Sequence, residues 1–289
     1  MGLMLGDLVK NGPVITDGAW GTEFQALGLE YGQCPDAWNL TSPGRVEKVA
    51  RSYVKAGSRI ILTNTFRSNR IALDGYGLSA QCVSLNRHGA ALSRQAAGED
   101  VLVFGSIGPS GKMLVAGETT GDELYASFAE QAEALASGGV HGFVVETMSD
   151  LGEAVQAVKA ARGTGLPVIA CMVFDSGRNK DRTMMGVTPE QCGPALLEAG
   201  ADFVGANCGV GIEAYIPVCA RLAAASGRPV WIKANAGLPE LQNGVAVYRG
   251  GPDHFSSHLT ALVDAGAKFI GGCCGTTPAF ITALRDRLG

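Results

Sequence analysis

Charge is sparse in this 289-residue chain: Asp, Glu, Lys and Arg make up only 17% of it, and the formal net charge is −4. The 23 basic residues form no run, which excludes the electrostatic footprint of a nucleic-acid or anionic-membrane binder. Long apolar stretches are missing too, since no window reaches the roughly 18 uninterrupted residues that a membrane span needs. Residues Met1 to Asp7 lack the charged start, apolar core and small-residue cleavage site of a secretory signal. The cysteines do not build a disulfide scaffold, because eight in 289 residues are too dilute for the short secreted chains that use one. A cytoplasmic setting is expected, with cysteines acting as packing residues or metal ligands.

What is abundant is glycine (41 residues) and apolar surface (46%), enough for a large core interrupted by many tight turns. Eight β-branched-rich runs recur: Val14 to Trp20, Arg59 to Phe66, Val101 to Pro109, Gly142 to Met148, Pro167 to Asp175, Phe203 to Gly211, Pro229 to Gly237 and Lys268 to Thr276. Near-continuous hydrophobicity, as in Ile60-Ile61-Leu62, is what strands buried on both faces require. Amphipathic stretches lie between them, opened by Ser42-Pro43 and by Thr188-Pro189-Glu190. Ala56-Gly57-Ser58, Gly138-Gly139-Val140, Ala199-Gly200-Ala201 and Ala265-Gly266-Ala267 repeat one device just before a strand. The pattern predicts an α/β chain forming a (β/α)8 TIM barrel, a single domain over 1–289, with an open doubly wound sheet as the alternative.

Polar residues gather at the predicted C-terminal strand ends, where barrel enzymes place their chemistry: Asp17, Asn64, Thr65, Ser106, Glu146, Asn207, Cys208, Asn235, Cys273 and Cys274. The vicinal pair Cys273-Cys274 sits in Gly271-Gly272-Cys273-Cys274-Gly275, and Cys208 in Asn207-Cys208-Gly209. Neighbouring strand residues point to opposite faces, so both cysteines reach the mouth only if the backbone leaves β geometry, which the flanking glycines are expected to permit. Three thiolates around zinc leave a fourth position for a substrate thiol. Buried structural cysteines or a strained vicinal disulfide are the alternatives. Cys82, Cys171, Cys192 and Cys219 read as ordinary thiols, and Cys34 as one that could approach the mouth.

These segments, with Asp17-Gly18-Ala19-Trp20-Gly21-Thr22, Thr63-Asn64-Thr65-Phe66, Gly105-Ser106-Ile107-Gly108-Pro109 and Glu146-Thr147, resemble the homocysteine S-methyltransferase family over nearly the whole chain. That family includes betaine–homocysteine methyltransferase and the homocysteine domain of cobalamin-dependent methionine synthase. The resemblance implies that Cys208, Cys273 and Cys274 hold Zn2+ and that a methyl group moves to the thiol of homocysteine, giving methionine. It also implies homocysteine contacts at the acidic strand ends. Asp17 and Glu146 are expected to meet the ammonium, and the Gly18 and Ala19 amides the carboxylate. Asn207 is expected either to orient a ligand or to cap the turn at Cys208.

The donor is left open between betaine, S-methylmethionine, S-adenosylmethionine and methylcobalamin on a separate corrinoid protein. A quaternary ammonium would favour an aromatic cage, for which Trp20, Phe24, Tyr31, Trp38 and Phe66 are candidates beside Thr65. Arg67 would repel such a cation. His88, His141, His254 and His258 read as structural or solvated. Lys233 reads as mid-strand, although a Schiff-base lysine in a metal-free barrel, or a phosphate-handling barrel, is a competing class. A zinc-storage or redox-sensing thiol protein is another. Nothing in the sequence fixes the oligomeric state.

Overall fold

The computed structural model describes residues 8–238, 240–242 and 245–289; the expectation placed on Met1 to Asp7 lies outside them. Ten strands are present among the described residues: β1 (Val14–Ile15), β2 (Ile60–Leu62), β3 (Leu102–Ile107), β4 (Gly142–Met148), β5 (Val168–Met172), β6 (Phe203–Gly211), β7 (Val230–Asn235), β8 (Glu240–Gln242), β9 (Val245–Val247) and β10 (Ala267–Gly272). Eight pair in parallel in the order β1-β10-β7-β6-β5-β4-β3-β2, while β8 and β9 form an antiparallel hairpin after β7. A single parallel bridge, Thr16 to Ile60, joins the two ends of the sheet. The Arg59 amide donates to the Ile15 carbonyl at 2.8 Å across the same seam. The result is the expected barrel, nearly closed, with helices on its outside.

Strand parity sorts the core into two layers. Val14, Ile60, Leu62, Phe104, Val144, Ile169, Cys171, Phe203, Trp231 and Phe269 form a cluster without any helical member, which places it inside the ring. Their alternate neighbours, among them Ile61, Val103, Val145, Val204 and Ile232, pack against helices such as Pro43–Ala56 and Cys82–Ala97. The Phe269 ring meets Phe203 edge-on at 5.3 Å and Trp231 at a tilt at 5.4 Å, and the three side chains plug the lumen. Each fully buried aromatic of this kind contributes about 1.5–3 kcal/mol.

The repeated helix-to-strand phrase has one conformation. Gly57, Gly139, Gly200 and Gly266 all take φ between +90° and +112°, a region costly for any residue with a Cβ. Thr188 caps its helix through a reciprocal capping box with Gln191, and Pro189 fills the first turn. Several predicted runs are longer than the strands observed. The Val14 to Trp20 run pairs only at Val14–Ile15 and the Thr16 bridge, then turns so that Trp20 precedes the helix Gly21–Ala26.

Candidate active site

Two strands deliver three sulfurs to the barrel mouth. Cys208 lies in β6, and Cys273 and Cys274 follow β10; their three Sγ atoms fall within 4.8 Å of one another, with Cys208 and Cys274 at 3.9 Å. The backbone device differs from the expected one. Cys208 itself takes φ +65°, beside a register shift of β6 against β7 between Cys208 and Gly211. Gly271 and Gly272 remain in β10 and serve close approach instead. A Cβ on Gly271 would stand 2.1 Å from Thr16 Oγ1, and one on Gly272 2.2 Å from Thr276 Oγ1. Only Gly275 of that motif uses a left-handed φ, +80°, with the Tyr248 ring packed over it.

Left to themselves, the three thiols suppress one another's ionisation. Cys274 is pushed up to about 12, foremost by its contact with Cys208 and further by burial, against an opposing contact with Cys273. Three thiols this close ionise together only when a cation offsets their charge, so the donor set fits a thiophilic metal ion. Asn235, at the end of β7, adds an oxygen: its Nδ2 donates to the Gly209 carbonyl at 3.2 Å, while its Oδ1 is buried without a partner. Tyr248 stands beside the cluster, its hydroxyl raised above the usual phenol range by burial and then by Cys274. Neither Asn235 nor Tyr248 was assigned a role from sequence, although Asn235 stood among the strand-end polar residues.

Beneath the sulfurs lies a charged layer. Lys233 Nζ contacts Asp17 Oδ1 at 2.5 Å, and Asp17 Oδ2 accepts from Trp20 Nε1 and from the Leu62 amide, both at 2.7 Å. Asp17 is 0% exposed and Lys233 2%. Burial pulls the Lys233 ammonium down, but the Asp17 and Glu146 carboxylates outweigh it and hold it above its ordinary value. Lys233 is mid-strand, as expected, yet parity turns it inward between Trp231 and Asn235. The Asp17 expected to face an outside ammonium is thus engaged by an internal one.

Glu146 sits higher in the mouth, on β4. Its Oε1 accepts from Ser106 Oγ at 2.5 Å and its Oε2 from Asn207 Nδ2 at 3.3 Å. Burial raises its pKa, while Lys233 and Ser106 oppose the rise. Asn207 also clamps Thr147, accepting from its amide at 2.7 Å and donating to its Oγ1 at 2.7 Å. Thr147 holds φ +59°, a strained setting for a β-branched residue. Asn207 is therefore an organiser of Glu146 and Thr147.

Other expected contacts are placed differently. The Ala19 amide already donates to Thr276 Oγ1 at 3.1 Å, and Gly18 is pressed against Tyr53 and Thr276. Thr65 is fully buried; its Oγ1 pairs with Thr63 Oγ1 at 2.6 Å and donates to the Ser106 carbonyl at 2.8 Å. The aromatic candidates do not form one cage. Trp38 and Phe24 are buried edge to face at 5.4 Å, whereas Tyr31 is 94% exposed. Trp20 is tied to Asp17, and Arg67 covers the half-buried Phe66 ring at 5.9 Å. Cys34 packs with Leu73, Cys82 and Leu85, away from the sulfur cluster.

A (β/α)8 barrel with three converging thiols and a buried carboxylate at its mouth has the architecture of a thiol-handling enzyme. The chain belongs to the homocysteine S-methyltransferase family, whose model matches residues 14–288. Curated relatives include methionine synthase of Mycobacterium tuberculosis, 30% identical over 95% of this chain, and that of Mycobacterium leprae, 29% identical over 93%. The chain spans about a quarter of their length (24%). The metallated form of the homocysteine methyltransferase MmuM from Escherichia coli shares the fold, with a TM-score of 0.81 at 23% identity, covering 98% of this chain and 99% of that one. No helix among the described residues is long and apolar enough to cross a membrane.

Proposed function

We propose that this chain moves a methyl group to the thiol of homocysteine, giving methionine, with zinc held by Cys208, Cys273 and Cys274. The observation that carries the reading is the convergence of three sulfurs within 4.8 Å at the mouth of the barrel. Bound there, zinc would lower the substrate thiol's pKa and keep its sulfur anionic and nucleophilic. The protein's own groups do the positioning. Glu146 meets the homocysteine ammonium, because Asp17 is neutralised by Lys233 and Glu146 is the carboxylate left to attract a cation. Asn207 and Ser106 fix the Glu146 carboxylate, and the Gly18 amide takes the substrate carboxylate beside the already bonded Ala19. Asp17 acts through Lys233, setting the charge beneath the substrate. The substrate sulfur then forms a bond to the donor methyl carbon as the donor's bond to that carbon breaks.

Among donors, a methylcorrinoid carried by a separate protein is favoured over betaine and S-methylmethionine. Six large apolar side chains stand exposed on the loops that follow strands, at the mouth end: Tyr31, Met113, Val115, Met184, Met185 and Leu238. Such a rim suits a docking protein better than a small free donor. Purified chain loaded with zinc and supplied with homocysteine, together with each donor in turn, tests the reading. Methionine formed with methylcobalamin or its protein carrier, but not with betaine, is the expected result. Turnover with no metal bound would overturn the zinc assignment.

A further inference from the structure

A second set of metal-ligating side chains stands apart from the three sulfurs. Glu213, His254 and His258 each present a ligand atom within 4.8 Å of the other two. Glu213 lies in the first turn of the helix Ile212–Ser226, which starts as β6 ends. His254 belongs to the helix Pro252–Ser257, and His258, in helical conformation at its end, begins the next helix, Leu259–Asp264. The two histidines are therefore four residues apart on one helical face, the spacing by which helices offer two imidazoles to a single ion.

Three details go beyond proximity. His258 Nδ1 lies 2.9 Å from the His254 carbonyl, a bond it makes only as the N–H donor. That fixes the tautomer and leaves Nε2 with a free lone pair, the orienting arrangement found behind metal-bound imidazoles. His254 Nε2 and Glu213 Oε2 stand 3.9 Å apart, too far for a hydrogen bond. Two ligands on a tetrahedral ion at about 2.0–2.1 Å each would sit roughly 3.4 Å apart, so a small closure around an ion suffices. The imidazoles meet edge to face at 4.8 Å, so their nitrogens converge without stacking.

We infer that Glu213, His254 and His258 form a second divalent-metal site, selective for zinc, nickel or copper rather than magnesium or calcium. Two neutral nitrogens and one carboxylate match the preferences of those ions, and three protein ligands leave positions for water. The site is distinct in kind from the sulfur cluster: it carries no thiolate and lies on the helices outside the ring.

The test is a Ni2+ titration, by equilibrium dialysis, of the full chain preloaded with one equivalent of zinc, which the three thiolates take in preference, with both metals counted by elemental analysis. Wild type is expected to bind one Ni2+ with nitrogen and oxygen, not sulfur, in its X-ray absorption spectrum. His258→Ala and His254→Ala should each weaken that ion by at least the 10–100-fold typical of losing even an outer-shell partner. Glu213→Gln should weaken it less, since a neutral oxygen donor remains. The zinc count should be unchanged in all three, with circular dichroism confirming the fold. No nickel bound by wild type, nickel bound through sulfur, or nickel that survives both histidine variants would overturn the inference. Because the readout is the histidine-dependent ion alone, failure of the three-cysteine zinc reading would leave this result interpretable.

Discussion

Replacing Lys233 by methionine removes half of an ion pair whose side chains are 3% and 0% exposed, leaving the Asp17 carboxylate in the barrel interior. Removing one partner of a buried pair costs about 3–5 kcal/mol. Asp17 would keep two of its three donors, Trp20 Nε1 and the Leu62 amide, so the low end applies, about 3 kcal/mol. With a urea slope of about 3 kcal/mol per molar, the unfolding midpoint should fall by about 1 M. The companion proteins are Asp17→Asn and the double variant. Without a carboxylate the methionine is far better tolerated, so the double variant should lie about 2 kcal/mol above the sum of the two single losses. Matched urea unfolding curves followed by fluorescence and circular dichroism supply the three numbers. Additivity within about 0.5 kcal/mol would refute the claim that these groups neutralise each other.

Glu146→Gln should weaken homocysteine binding by roughly 10–100-fold, the value of a charge-assisted contact of about 1.5–3 kcal/mol, while zinc content stays at the wild-type level in elemental analysis. Because the Glu146 pKa is raised, the carboxylate gains its proton at a higher pH than an exposed glutamate; calorimetric titrations with homocysteine should lose affinity early on the acid side. Asp36, buried and raised to about 6 mainly by burial, supplies a stability test. Below its unfolded pKa it is protonated in both states, and between about 4 and 6 the unfolded chain ionises first. Wild-type stability should therefore fall relative to Asp36→Asn as pH rises through that window, then run parallel above it; a constant difference from pH 3 to 8 contradicts the assignment. Gly271→Ala would force a Cβ to 2.1 Å from Thr16 Oγ1, and should lower stability by about 1–3 kcal/mol in thermal melts and loosen metal binding.

The barrel was legible because each strand is buried on both faces and so announces itself as a continuous apolar run, closed by the same glycine device before the next strand. The cysteine mouth was legible because Cys208 and Cys273-Cys274 share a glycine setting at strand ends. The β8–β9 hairpin went unread although Asn243-Gly244, a strong two-residue turn signal, separates its strands in the sequence. The charged layer was not legible locally. Asp17 and Lys233 are 216 positions apart, and only strand parity applied to Trp231, Lys233 and Asn235 would have aimed the lysine into the lumen. Backbone amides such as that of Ala19 were misjudged because their acceptor, Thr276, comes from the far end of the chain.

The joint between the first and second strands gives the ring an electrostatic latch. There one bridge, the Arg59 amide on the Ile15 carbonyl, the Ser58 hydroxyl on the Thr16 carbonyl and one carboxylate oxygen, that of Asp17 on the Leu62 amide, stand in for a full ladder. Fastening of the cylinder and the charge balance beneath the three thiols consequently share one side chain, Asp17. A substitution of Asp17 that alters the charge at that floor therefore also alters how the cylinder is fastened.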